Sequence, residues 1–263
     1  MFNVFFAEWR KLRRPTLFLG TFGAALGFTA LVTSVTFLLI NSETGNGDRG
    51  RVITPEQLSL PNGSVFGFES VGGLLGIIML CVFAAQTAQE YTYGTLRNLL
   101  VRQPRRLVLM LGKFAAMKSF ALLLVLTAAI FSIAISTLLA DGAGVSTDLW
   151  FDSSGWIQIR EALINVFISV IYFAVVGIIL GLLLRSPISS ISIAVIWLLI
   201  VENIIGLIKP VTLDWMPGSQ FSNIAQGGTE LLSYSHSLIL GSIYLAVGLL
   251  ISLTLFVKRD VAN

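Results

Sequence analysis

The stretch that decides the fold runs from residue 162 to residue 208 and reads ALINVFISVIYFAVVGIILGLLLRSPISSISIAVIWLLIVENIIGLI. Its charged side chains are Arg185 and Glu202, and Pro187 separates two apolar runs. A helix needs about 20 apolar residues to cross the hydrocarbon core of a bilayer. The runs are continuous, whereas strands of a membrane barrel would alternate apolar and polar residues. The sequence therefore predicts two consecutive membrane-spanning helices here.

The same pattern extends over the whole chain, which is 55% hydrophobic and 12% charged, with a mean hydropathy of +0.86. A soluble domain usually carries about 25% charged residues. The predicted fold is an all-α integral membrane protein, with residues 17–263 forming one transmembrane domain of six helices. The six spans are expected at about residues 17–40, 71–88, 119–140, 162–184, 188–208 and 237–257.

Lys and Arg residues fall on alternate polar segments between these spans. If the N-terminus lies inside, the outside segments carry only Arg49, Arg51, Arg160 and Lys209 of the 17 basic residues. This bias fixes the orientation of a membrane protein. It predicts a polytopic protein of the plasma membrane with both termini in the cytoplasm. The positive charge then faces the anionic lipids of the cytoplasmic leaflet, which argues against a nucleic-acid partner.

Residues 1–16 form a separate element with helical periodicity. One face of it is apolar, and this face carries Phe2, Phe5, Phe6, Trp9 and Leu12. The other faces carry Glu8, Arg10, Lys11 and Arg14, and Arg13 adds to the attraction of the basic residues to anionic lipid. The pattern predicts an amphipathic helix that lies in the membrane interface with its aromatic face toward lipid. The alternative is a basic flank that only sets the orientation of the first span.

Two outer segments differ in character. Residues 41–70 are polar and rich in glycine and proline, so little regular structure is expected there. Residues 209–236 are too apolar for a solvated loop and too broken for a span, which predicts a re-entrant or interfacial helical segment. Trp150, Trp156 and Trp215 lie near the outer ends of predicted spans, where indole rings favour the membrane interface.

Pairs of glycines four residues apart allow close approach of two helix backbones. Packing within the chain is the preferred interpretation of these pairs, and a dimer interface is the alternative. The pairs are Gly23 with Gly27, Gly72 with Gly76, and Gly177 with Gly181.

The inventory of reactive side chains argues against an enzyme. His236 and Cys81 are the one histidine and the one cysteine, so a metal site of nitrogen and sulfur ligands is not expected. One cysteine also excludes an intrachain disulfide. Gly112-Lys113 lacks the earlier glycine of a phosphate-binding loop and is followed by Phe114, so the chain is not expected to hydrolyse ATP. We therefore expect no cofactor on this chain.

Glu202 is the acidic residue inside a predicted span, and such residues are costly in lipid. It lies roughly 21 Å along its helix at 1.5 Å per residue, in the outer third. It could line a polar vestibule, or it could reach the outer interface and pair with a neighbour such as Lys209. The second interpretation predicts that Glu202→Gln changes transport little.

The inside loop at residues 89–118 is the most distinctive segment. Residues 89–106 read QEYTYGTLRNLLVRQPRR, with a possible helix break at Gly94 and an end at Pro104. Leu96, Leu99 and Leu100 make a short apolar face between basic clusters. The pattern predicts a short amphipathic helix that projects from the membrane, and an ordinary basic loop is the alternative.

These residues resemble the coupling loop of type-2 ABC exporter permeases, in which E-x-x-x-G-T-L-R is followed by leucines, a proline turn, basic residues and Gly-Lys. The matching residues are Glu90, Gly94, Thr95, Leu96, Arg97, Leu99, Leu100, Pro104, Arg105 and Lys113. Glu8, Lys11 and Leu12 resemble the amphipathic N-terminal helix of that family. The ending at Phe256 and residues 258–261 is similar to the family's last helix.

The resemblance implies that the loop helix docks into a cleft of a separate ATPase subunit. Two copies of that ATPase, with ATP and Mg on them, would serve this permease and a second permease copy or a paralogue. Apolar spans with few ionisable groups suit an amphipathic or lipid-like substrate, such as a peptide antibiotic, a drug or a lipid. A stand-alone transporter or scramblase-like channel is the alternative, and it predicts polar residues at mid-membrane or an inverted repeat. A membrane-embedded enzyme is a third hypothesis.

Overall fold

A computed structural model describes residues 2–40, 53–95, 99, 101 and 106–258. Within these ranges the regular secondary structure is entirely helical. Six helical segments are long and apolar enough to cross a membrane: Pro15–Leu38, Gly63–Thr92, Val108–Ala143, Ser153–Leu184, Pro187–Ile208 and Tyr234–Phe256. The predicted all-α membrane fold with six spans is confirmed.

The α-helices are labelled here in chain order. They are α1 (Phe2–Leu12), α2 (Pro15–Leu38), α3 (Pro55–Leu58), α4 (Phe66–Thr92), α5 (Arg106–Ala140), α6 (Ser153–Leu184), α7 (Pro187–Ile196), α8 (Glu202–Ile208), α9 (Pro217–Ala225) and α10 (Tyr234–Lys258). A π-helical turn, Trp197–Val201, joins α7 to α8 inside the fifth span. The 3₁₀ helix Pro210–Trp215 precedes α9, so the segment predicted to be helical before the last span is helical.

Several helices are longer than the apolar runs predicted. α4 continues to Thr92 and α5 begins at Arg106, so both enter the loop predicted at residues 89–118. The apolar run of α4 stops near Ala88, but the helix continues because Glu90 and Lys113 pair with each other across the two helices. Hydrophobicity locates the membrane core, whereas the helix ends depend on where polar side chains find partners.

α4 and α6 form the centre of the bundle and pack along much of their length. Glycines make this close approach possible, since a Cβ at Gly177 would overlap the carbonyl oxygen of Leu80 and one at Gly181 would lie 2.8 Å from Thr87. Gly72 and Gly76 likewise face Ala225 of α9 and Phe173 of α6. The predicted role of these pairs in packing within the chain is therefore observed.

The glycine pair of α2 behaves differently. A Cβ added at Gly23 or Gly27 would meet no atom within 4 Å, because this face of α2 points away from the bundle. Packing within the chain was the preferred interpretation for this pair and it does not apply here.

The ends of the helices meet in two groups. We call the end at which α1 meets α2, α4 leads to α5 and α6 turns into α7 the basic end. At the opposite end, Trp150 is fully buried and donates an indole N–H hydrogen bond of 2.8 Å to the Leu58 carbonyl oxygen. Phe37, Ala140 and Val145 belong to the same apolar cluster. Trp150 thus closes this end of the bundle.

This cluster corrects two expectations. Trp150 does not occupy the lipid interface, although Trp156 and Trp215 are each more than half exposed, as expected for interfacial residues. In the outer segment at residues 41–70, α3 and the 3₁₀ turn Gly63–Val65 are regular, and α4 already begins at Phe66. Apolar side chains such as Leu58 and Val65 bury themselves in the bundle and order this part of the segment.

Candidate functional site

Four charged side chains meet at the basic end and join three helices. Lys113 of α5 contacts Glu90 of α4 at 2.8 Å and Glu8 of α1 at 3.7 Å. Lys11 of α1 contacts Glu8 at 2.6 Å and Glu90 at 2.9 Å. We call these four residues the charge cluster. Each acid contacts both lysines, so the cluster ties the N-terminal helix to α4 and α5, the two helices that flank the loop predicted to lie inside.

The charge cluster is buried and electrically balanced. The side chains of Lys113, Glu8 and Glu90 are 2%, 4% and 7% exposed, whereas that of Lys11 is 30% exposed. Lys113 also donates a hydrogen bond of 3.2 Å to the Gln86 carbonyl oxygen. Buried charges require partners because desolvation is costly. Two acids and two lysines satisfy this requirement only together, so removal of one member leaves an uncompensated charge.

The environment keeps Lys11 charged. Burial lowers the pKa of its ammonium group, but attraction to Glu90 and Glu8 and the hydrogen bonds to both outweigh burial and raise the pKa above 10.5. A lysine whose pKa is raised on folding stabilises the folded state fully at every pH below its ordinary pKa. This stabilisation is lost only as the pH rises through the raised pKa. The charge balance of the cluster therefore does not depend on Lys11 titration near neutral pH.

A cleft of about 250 Å³ opens beside the charge cluster. Lys11, Arg14 and Glu90 form one part of its wall, and Tyr93, Thr95 and Leu99 of the loop between α4 and α5 form another. Any movement of this part of the loop changes the surroundings of Lys11 and Glu90 directly. The arrangement can therefore link a force on the loop to α1, α4 and α5.

Glu202 occupies a second buried polar position, at the opposite end. It is 3% exposed, and its Oε1 accepts hydrogen bonds from Trp197 Nε1 at 2.8 Å and from the Gly218 amide at 3.0 Å. Its Oε2 accepts one from the Ser219 amide at 3.1 Å. Gly218 and Ser219 lie in the first turn of α9, where a carboxylate stabilises the helix N-terminus.

The sequence is similar to a described protein family and to a bacterial protein. A family model described as "Protein of unknown function (DUF2705)" matches residues 55–262. The chain belongs to the DUF2705 family. A curated relative, "Uncharacterized protein YhcI" of Bacillus subtilis (strain 168), is 26% identical over 207 residues, which cover 72% of this chain and 66% of the relative. The match thus spans slightly less than two thirds of the relative's length.

The family match begins at residue 55 and excludes α1, although α1 supplies half of the charge cluster. Glu8 was assigned from the sequence to a polar face of α1, yet it is buried against α4 and α5. The sequence did contain an indication that Glu8 has a partner, because Glu8 and Glu90 are acidic residues in segments that are otherwise basic. The i, i+3 spacing of Glu8 and Lys11 also indicated a pair.

In this DUF2705 protein, the residues that resemble an exporter's coupling loop are only partly described. Glu90 lies in the charge cluster, and Gly94 is exposed with a φ of +64°, a left-handed conformation that favours glycine at the end of α4. Thr95 is exposed, whereas Leu99 is half-buried against the protein's own core. Leu99 is therefore less available for docking than its predicted position on a free apolar face implied. Leu96, Arg97, Leu100, Pro104 and Arg105 lie outside the described residues.

The N-terminal helix also departs from its expected orientation. Phe2 and Phe6 are exposed, but Trp9 packs edge-on against Phe120 of α5 at 6.0 Å between ring centroids. Phe5 stacks on Trp9, and Leu12 is 2% exposed. Part of the predicted lipid-facing stripe thus covers the bundle, because Phe5, Trp9 and Leu12 pack against its core. Arg10 and Arg14 are exposed, as expected for the polar faces, and Arg13, which follows α1, is exposed too.

The ion pair of Glu202 with Lys209 considered from the sequence is absent from the described part of the chain, where three N–H donors take that role. We expect Glu202→Gln to lower stability moderately, by about 1–3 kcal/mol, because the new amide group faces an N–H donor and leaves it without an acceptor. Thermal unfolding of the purified protein measures this effect.

The matched control for this prediction is Glu161→Gln, since the Glu161 side chain is 52% exposed. We expect no measurable change in the unfolding temperature of that variant. Equal unfolding temperatures for both variants would contradict the role of Glu202 in holding the N-terminus of α9.

Proposed function

We propose that the protein is the transmembrane permease subunit of an ATP-driven ABC exporter of the type-2 class. In this proposal both termini are cytoplasmic and the protein lies in the plasma membrane. Two copies of a separate ATPase bind the inside loops of two permeases, which are identical or paralogous. ATP and Mg belong to the ATPase subunits.

The observation that best supports the proposal is the charge cluster. An exporter must transmit movement from an ATPase, bound at the inside loop, to the helices that line the transport pathway. Glu90 lies near the end of α4 before the loop and Lys113 lies near the start of α5 after it. Both contact α1 through Glu8 and Lys11. A displaced loop therefore moves these three helices together.

The position of Lys113 also agrees with a division of labour between subunits. Gly112-Lys113 is the nearest approach in this chain to a phosphate-binding loop. The Lys113 side chain is 2% exposed and engaged with two carboxylates and a carbonyl oxygen. A phosphate-binding lysine must instead be free to reach the β- and γ-phosphates. ATP binding is accordingly assigned to the partner.

The inside loop presents exposed apolar side chains suited to a protein partner. Tyr93 is 72% exposed and Val101 is 78% exposed, although both lie in a segment with polar and basic neighbours. We assign these two residues, together with the Leu96 predicted from the sequence, to the docking surface for the ATPase. The substrate class is the amphipathic or lipid-like one expected from the apolar spans.

Val101→Asp is expected to reduce the amount of ATPase recovered with affinity-tagged permease by at least about tenfold. The reason is that a carboxylate forced into a protein contact costs several kcal/mol, and each 1.4 kcal/mol is a factor of ten. The measurement is copurification from the native membrane, with the ATPase identified by its phosphate-binding loop.

Ile188→Asp is the matched control. Ile188 is also 78% exposed and lies at the basic end, in the first turn of α7. It should leave the recovery of the ATPase unchanged. If no ATPase copurifies with the unsubstituted permease, the exporter proposal fails in favour of a stand-alone transporter or channel. If both variants bind normally, the docking surface is misplaced.

A further inference from the structure

A lateral apolar cavity of about 560 Å³ lies between α6, α7, α9 and α10. Its walls are aromatic and aliphatic, and they include Phe173, Ile179, Ile193, Leu198 and Phe221. α7 and α10 each pack against α6, and the cavity is the gap that they leave between them. Its volume lies within the range of about 300–1,000 Å³ that is usual for small-molecule sites.

Two polar side chains in the cavity wall are already occupied. The Tyr244 hydroxyl donates a hydrogen bond of 2.7 Å to the Trp215 carbonyl oxygen. The Trp197 indole donates to Glu202. The cavity thus offers an apolar surface without a free hydrogen-bonding group from these side chains, which suits an aliphatic chain rather than a polar molecule.

A polar recess of about 350 Å³ adjoins the apolar cavity, since Phe173 and Leu198 line both. Glu202, Asn203, Ser219 and other polar residues of α8 and α9 line the recess. Its lining includes a carboxylate and no lysine or arginine among the described residues. Nor does any described residue form an ion pair with Glu202. The charge of this recess therefore favours a cation and disfavours an anion.

We propose that the cavity and the recess together bind a membrane amphipath, with its aliphatic chain against α7 and α10 and its ammonium head group beside Glu202. The apolar volume accommodates the chain, and the Glu202 carboxylate, which has hydrogen-bond donors but no basic partner among the described residues, complements the head group. Binding of this ligand requires no ATPase and does not depend on the proposed function. Its role as export cargo rests on the proposed function.

The test uses two photoreactive probes in membranes that contain the full-length protein. Both carry the same dodecyl chain with a diazirine, and one ends in an ammonium group whereas the other ends in a carboxylate. Labelled peptides are quantified by mass spectrometry, and labelling of α2 serves as the reference for nonspecific contact with lipid. The ammonium probe should label peptides of α7 and α9 about tenfold more than the carboxylate probe, relative to α2.

Substitutions locate the two parts of the ligand. Ile193→Trp fills the apolar cavity and should abolish specific labelling by the ammonium probe. Ile196→Trp is its matched control, because Ile196 is equally exposed on α7, at 50% against 49%, but does not line the cavity. Glu202→Gln should bring the ratio of labelling by the ammonium probe to labelling by the carboxylate probe toward one, while the chain still labels α7.

Even labelling of all spans by both probes would overturn the proposal and reduce the cavity to a lipid-filled gap. Equal labelling of the Ile193→Trp and Ile196→Trp variants would overturn the location of the chain. A carboxylate preference would overturn the location of the head group. These outcomes are independent of ATPase copurification, so failure of this site and failure of the exporter proposal are distinguishable.

Discussion

Lys113→Met is expected to destabilise the protein by about 3–5 kcal/mol, the usual cost of removing one partner from a buried ion pair. Glu8 and Glu90 would then share Lys11 as their sole lysine partner within the charge cluster, and their 4% and 7% exposed side chains gain little hydration from water. The measurement is the temperature at which half of the detergent-solubilised protein leaves the monodisperse peak in size-exclusion chromatography.

Two further variants separate charge balance from other effects of this substitution. Lys118→Met is the control on the same helix, where the exposed Lys118 lies 5.9 Å from the Phe167 ring centroid and outside the cluster. The double variant with Glu90→Gln and Lys113→Met retains one acid and one lysine, so it should recover part of the lost stability. An unfolding temperature for Lys113→Met equal to that of the control would refute the role of the cluster.

Gly177→Leu is the second substitution with a large expected effect, and it should prevent accumulation of folded protein. A Cβ at this position would overlap the Leu80 carbonyl oxygen and approach the Ala84 amide nitrogen to 3.1 Å. Both obstacles are backbone atoms of α4, which cannot rotate away, so we expect a cost of about 3 kcal/mol or more. Expression followed by size-exclusion chromatography measures the yield of folded protein.

Gly27→Leu is the matched control, because an added Cβ there meets no atom within 4 Å. Both substitutions change helix propensity equally, so a difference between them reports packing alone. Normal accumulation of both variants would show that α4 and α6 do not approach each other as closely as described. Loss of a permease dimer in Gly27→Leu alone would assign the glycine face of α2 to a contact between subunits.

The membrane architecture could be predicted from the sequence because two strong signals agree. Apolar length predicts six spans, and six helical segments long and apolar enough to cross a membrane are present. The alternation of basic residues predicts their orientation. The end of α4 shows the limit of this reasoning, since Glu90 extends the helix beyond its apolar run by pairing with Lys113. No local pattern connects two residues on different helices, so the partner of Glu90 could not be identified from the sequence.

The candidate sites illustrate the same limit. The sequence singled out Glu90, but its contact with Lys11 of α1, and its link to Glu8 through the two lysines, depend on tertiary packing. Trp150 was assigned to lipid because tryptophan favours the interface, yet its indole finds the Leu58 carbonyl oxygen inside the bundle. The apolar cavity is a gap between α7 and α10. It could not be predicted from the sequence, because an apolar residue has the same hydropathy whether it lines a gap or contacts another helix.

The closed end around Trp150 has a mechanical consequence. It clamps α2, α3, α5 and the approach to α6, whereas α7, α8 and α10 take no part in that apolar cluster. The fifth and sixth spans are also the least buried of the six, with 17% and 11% of their most apolar stretches buried in the protein. The cluster thus holds the first four spans together at this end, whereas the fifth and sixth spans are less firmly held. A force applied at the basic end is expected to move the fifth and sixth spans relative to the other four. The apolar cavity between α7 and α10 would then widen or narrow.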